Sequence, residues 1–182
     1  MKLKALFAAL AVAAILPVAA LADEASPADK ANGARACQAL KAATGLGEAT
    51  FKATYGTNAD KSNAFGKCVS KWTQLEHQNR VAAETACKAE QADAGFAAAH
   101  EGKTFAQFYG NGKQGTNALN RCVQSKHAAA LAADKQAVTN AARKCKAERT
   151  SIGATAFAAK YAPADKTNAY GKCVAKLSTA KQ

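Results

Sequence analysis

The six cysteines are the residues of this chain best equipped for chemistry. They fall two to a copy within a cassette that occurs three times. The cassette reads C…FxxxYG…SNAFGKCV from Cys37 to Val69, C…FxxxYG…TNALNRCV from Cys87 to Val123, and C…FxxxYA…TNAYGKCV from Cys145 to Val174. A zinc site would need closely spaced Cys or His ligands, a c-type haem C-x-x-C-H, and a dithiol redox site C-x-x-C. No such spacing occurs. Within each copy the two cysteines lie roughly thirty residues apart, which suits structural disulfides that close long loops. Six cysteines allow fifteen connectivities, but threefold repetition favours one bridge per copy: Cys37 with Cys68, Cys87 with Cys122 and Cys145 with Cys173. No metal and no cofactor is expected.

The other reactive side chains make no catalytic set. His77 and His127 stand on helical stretches and His100 in a loop that only the second copy has; all three read as solvated surface histidines. Asp60 and Asp165 recur just before a helix start, where a turn or helix-dipole role accounts for them. In the second copy Lys113 or Gln114 stands at that place. Glu90 and Glu148 each follow a cysteine by three positions, with Leu40 or Lys41 at that place in the first copy, and read as solvated helix acids near lysines. There is no Ser-His-Asp set, no phosphate-binding loop and no G-x-G-x-x-G. The chain is not expected to be an enzyme.

The elements that must position the cysteines are helices. About a quarter of the 182 residues are alanine, against an ordinary share well under a tenth. Alanine favours helix but buries little area, so such helices pack weakly and need staples. A first helix is predicted over about 30–43 and a short one over 48–55, which puts Phe51 and Tyr55 on one face. Neither Gly nor Pro occurs between Gly66 and Gly95. Over that stretch Phe65, Cys68, Val69, Trp72, Leu75, Ala82, Ala86 and Cys87 keep three- and four-residue steps, a stripe that Glu76 and Asn79 interrupt. The corresponding helix would be on the order of 45 Å long, too long for Cys68 and Cys87 to meet. A second long helix is predicted from Asn117 to about Thr150, and a last one over about 168–178. Ser62, Thr116 and Thr167 recur as candidate caps.

On helices, the three copies become three stapled corners of one all-α chain: antiparallel helical hairpins joining four main helices. Each corner is expected to hold a small core beside its disulfide. Those cores comprise Phe51, Tyr55, Phe65 and Val69; Phe105, Tyr109, Leu119 and Val123; and Phe157, Tyr161, Tyr170 and Val174. The corners could close into an irregular up-down bundle or remain an elongated zigzag, and an open form would leave a seam that favours self-association.

Residues 1–22 read as a secretory signal peptide, with Lys2 and Lys4 before an apolar run, Pro17, and Ala20-Leu21-Ala22 as the cleavage site. A linker is expected over 23–29, then a helical region over 30–182 with repeats at about 30–75, 80–130 and 138–180. No later stretch is long and apolar enough to span a membrane, so a periplasmic or extracellular protein is expected, in a compartment where disulfides persist. The formal net charge is +12, and loss of Lys2 and Lys4 lowers it by two. Lysine outnumbers arginine, which suits diffuse attraction to anions rather than bidentate phosphate reading. The expected role is an exported structural or binding protein whose lysine-rich face meets an anionic polymer or an acidic protein. The alternative is a secreted protein–protein interaction module or inhibitor working through corner aromatics.

Overall fold

A computed structural model describes residues 24–111, 115–164 and 167–179. The proposed signal peptide lies outside the described residues, as do Lys113, Gln114 and Asp165. Eight helices run through the described residues: α1 (Pro27–Lys41), α2 (Glu48–Tyr55), α3 (Ala64–Ala92), α4 (Phe96–Ala99), α5 (Phe105–Tyr109), α6 (Ala118–Ile152), α7 (Ala154–Tyr161) and α8 (Ala169–Thr179). The only extended pairing among them is a single bridge between Asn111 and Thr116.

Alanine-rich, uninterrupted sequence makes α3 29 residues and α6 35 residues long, about 43 and 52 Å. Antiparallel order follows from which residues meet. Cys37 reaches Cys68 and Asp29 reaches Arg80 across α1 and α3. Cys87 reaches Cys122 and Asn79 reaches Asp134 across α3 and α6. Cys145 reaches Cys173 and the Tyr170 hydroxyl reaches the Ala142 carbonyl across α6 and α8. The chain therefore runs up, down, up, down as an all-α bundle. Corners one and three lie at one end and corner two at the other.

The three bridges span Cα–Cα distances of 5.9, 6.0 and 6.1 Å and close loops of 31, 35 and 28 residues. Each contributes roughly 3–4 kcal/mol in the chain-entropy model. Corners one and three share one core, which contains Leu40, Phe51, Tyr55, Trp72, Val138, Phe157, Val174 and both of their disulfides. Corner two has its own smaller core of Phe96, Phe105, Ala118 and the third disulfide, with Tyr109, Leu119 and Val123 packed against it.

Several local expectations change. Helix α1 starts at Pro27 rather than within a longer linker, because Ser26 and Asp29 form a reciprocal capping box. Ser62 does not cap α3. The N-cap there is Asn63, whose side chain turns back to bond the Thr57 backbone N–H and hydroxyl. Phe65, counted as corner core, is 37% exposed. Phe51 already fills the space beside the disulfide, and the Phe65 ring lies 6.5 Å away on its outer side.

Close helix approach replaces apolar bulk where α1 crosses α3. A Cβ on Gly33 would stand 2.8 Å from the Thr73 backbone nitrogen and 3.2 Å from its Cα. Helix propensity alone would make Gly33→Ala stabilising by roughly 1 kcal/mol. The backbone contact reverses the sign, so Gly33→Ala is expected to destabilise the protein by about 1–3 kcal/mol in urea unfolding. A gain in stability would show that the two helices do not meet this closely.

Candidate functional site

The FxxxY pairs form the corner cores, and each tyrosine hydroxyl finds a partner dictated by one residue of the cassette. Tyr109 donates to Glu90 at 3.0 Å and Tyr161 donates to Glu148 at 2.7 Å. Both glutamates sit three residues after a cysteine. In corner one Leu40 occupies that place, and the Tyr55 hydroxyl instead accepts from Trp72 Nε1 at 2.9 Å. Burial pushes the Tyr55 hydroxyl up to about 12. Glu90 and Glu148 are thus half-buried partners rather than solvated acids. Lys126 pairs with Glu90 at 2.7 Å, and Lys160 pairs with Glu148. Burial raises the Glu90 carboxyl, but Lys126 and Tyr109 outweigh it and leave it below its ordinary value.

A belt of charged side chains lies between the two cores, where the sequence reads only an interrupted stripe and solvated histidines. Glu76 on α3 is 2% exposed and places Oε2 3.1 Å from Nε2 of His127 on α6. Neither atom has an aligned hydrogen bond to any other group, so each is the other's partner by proximity. Burial raises the Glu76 carboxyl above 4.5; the charges of His127 and Lys135 and a hydrogen bond from Asn32 oppose this, and Asp29 reinforces it.

The second half of the belt is the Asp29 network. Asp29 accepts from the Ser26 backbone N–H at 2.8 Å and from Arg80 Nη2 at 3.3 Å. Burial raises its carboxyl, yet Arg80 and Ser26 hold it below its ordinary value. Arg80 also reaches Glu84 at 3.1 Å and stands 3.1 Å from His77 Nδ1, which accepts in the tautomer that carries its hydrogen on Nε2. His77 and His127 are therefore largely buried within the belt, with their side chains 19% and 17% exposed. No cluster of three metal-ligating side chains exists among the described residues.

Outside the belt, charge is segregated along the bundle. Segments 33–75 and 138–179, which build the end holding corners one and three, carry fourteen basic residues against four acidic. Segment 84–130, which builds corner two, carries five basic against four acidic. The basic side chains of the first end are exposed among the described residues, except Lys61 and Lys71, which are half-buried. Two of its acids hold lysines: Glu48 lies 3.2 Å from both Lys41 and Lys52, and Glu148 holds Lys160. Crevices at this end are lined by cation pairs, Lys61 with Arg149 in one and Lys135 with Arg143 in another. A larger cleft of ≈ 730 Å³ at corner two is lined by Gln91, Asp93 and Asn117, with no cation.

Corner two differs in a second way. Its extra helix α4 brings in Phe96, which stacks on His100 at 3.8 Å, and Phe108 lies edge-on to His100 while 46% exposed. The cassette pattern does not contain Phe96, His100 or Phe108, so sequence repetition gave no signal for this cap.

No family model, curated protein or solved structure matches this chain.

The belt makes a signed prediction. A raised Glu76 pKa means that the folded protein binds this proton more tightly than the unfolded chain. The group's contribution is fully present below the unfolded value and is lost as pH rises through the folded value. Glu76→Gln should therefore melt at or above the wild-type temperature at neutral pH, and the difference should shrink toward pH 4. Thermal melts at several pH values decide it; a variant less stable than wild type at neutral pH would mean that the ionised pair itself holds the bundle.

Proposed function

We propose that this is an exported, non-enzymatic binding or structural protein that contacts an anionic polymer through the end formed by corners one and three. The observation that carries this reading is the charge segregation: fourteen basic against four acidic residues in the segments of one end, five against four in the segment of the other. Dispersed lysines that served only solubility would have no reason to collect at one end. A cationic surface concentrates polyanions and speeds their encounter, and isolated lysines suit a partner recognised by charge density. Three disulfides fit an oxidising compartment. Among the described residues no helix is long and apolar enough to cross a membrane. The apolar run of residues 1–22 supports export. The displaced carboxylates and tyrosines each have a structural partner in the bundle, which supports a binding rather than a catalytic role.

A second reading, an interaction module, draws on the half-exposed Phe108 over Phe96 and His100 at corner two.

Binding to immobilised heparin against salt separates the two. A face that neutralises three or four anions should lose roughly 40–150-fold in affinity between about 50 and 200 mM salt. Lys67→Glu with Lys144→Glu should advance elution, whereas Phe108→Ala should leave it in place. Release of the wild type well below physiological salt, or a larger effect from Phe108→Ala, would overturn the polyanion reading.

A further inference from the structure

The basic end contains one cleft that neither corner makes alone. It measures ≈ 460 Å³ and opens where the loop after α2 in corner one faces α7 and the start of α8 in corner three. The two corners are held together there by close backbone approach: a Cβ on Gly171 would lie 2.5 Å from the Thr54 carbonyl oxygen. Asn168, with its amide nitrogen turned to them, donates to the Ala53 and Gly56 carbonyls at 3.2 Å. The cleft is thus a fixed feature of the up-down order, and its volume lies within the range of about 300–1,000 Å³ usual for small-ligand sites.

The lining combines three kinds of group. Lys61 and Arg149 both line the cleft; Lys61 Nζ donates one hydrogen bond to the Gly56 carbonyl at 3.1 Å, and no carboxylate pairs with either cation among the described residues. Asp60, next to Lys61 in the chain, accepts from the Ser62 backbone N–H at 3.1 Å, and Glu148 beside Arg149 holds Lys160. Burial pushes the Tyr170 hydroxyl up, and the Arg149 charge opposes this. The apolar floor is formed by alanines and Phe157. Thr57 and Asn58 place a hydroxyl and an amide at the edge, and the Thr57 hydroxyl, which accepts from Asn63, keeps its own hydrogen to donate.

Nucleic acid would need an open aromatic face on which bases stack. Of the two rings that line the cleft, Phe157 is 2% exposed, and Tyr170 is half-buried with its hydroxyl held by the Ala142 carbonyl at 2.7 Å, so neither offers a fully open face. Small apolar walls with hydroxyl and amide edges instead suit a saturated ring that bears hydroxyls. The geometry points to this cleft as the binding site for an acidic glycan, a sugar unit on the apolar floor with its carboxylate or sulfate between Lys61 and Arg149. The inference rests on the polyanion reading and adds to it the place and the class of polymer.

Calorimetry with a heparin hexasaccharide at about 150 mM salt tests it. Lys61→Gln with Arg149→Gln should lower affinity about tenfold or more, as expected for losing two charge-assisted contacts. Arg149→Gln alone, on an exposed helix surface, should account for a substantial part and guards against misfolding. The charge-matched pair Lys146→Gln with Lys176→Gln should cost no more than about threefold, the residual effect of lost field. Equal losses from both pairs would overturn the cleft and leave the basic end as a diffuse surface. Failure of the wild type to bind at any salt would overturn both readings. A single-stranded DNA oligonucleotide of equal charge that bound as tightly as the glycan would overturn the choice of glycan.

Discussion

Alanine sets the constraint on which this structure depends. Alanine helices form readily and approach one another closely, as α1 and α3 do at Gly33, but each buried methyl removes little apolar area from water. Helix pairing alone therefore leaves the bundle short of stabilisation. The remedy is to concentrate large side chains and covalent links at the turns. Each corner places a Phe–Tyr pair, with centroids 4.7–5.1 Å apart, next to a disulfide. The bundle is clamped at its ends, and the long helices between the clamps are free to carry other groups.

That division explains the polar belt. Midway between the clamps, Glu76, His127, Asp29 and Arg80 are enclosed without a dense apolar core around them. Such a belt adds little net stability, because desolvation opposes the attraction of each pair. Its effect is on register: the Asp29 network fixes α1 against α3, and the Glu76–His127 and Asn79–Asp134 contacts fix α3 against α6. Smooth alanine surfaces would otherwise slide, and the disulfides alone fix only one point on each helix pair.

The corners were legible in the sequence because cysteine spacing and the FxxxY pair are local signals, and repetition averaged out the exceptions. Phe65 shows the limit of that averaging: the same cassette position holds Leu119 and Tyr170, both half-buried, whereas the phenylalanine is 37% exposed. The belt was not legible, since Glu76 reads only as an interruption of an apolar stripe, His127 reads as a solvated surface residue, and the two lie on different helices. The charge segregation lay between these extremes. The three cassettes carry four basic against two acidic residues, four against three, and five against two, a small difference in the sequence; only the up-down order brings the two more basic cassettes to one end, where their charges act together on one partner.

The central claim is that this one end, and not the molecule as a whole, meets the anionic partner. The most direct measurement is an amide chemical-shift map of the intact protein titrated with a short heparin oligosaccharide. The account predicts perturbations confined to residues 33–75 and 138–179, strongest where corners one and three adjoin, with 84–130 silent. Perturbations centred on corner two, or spread evenly along both long helices, would contradict it.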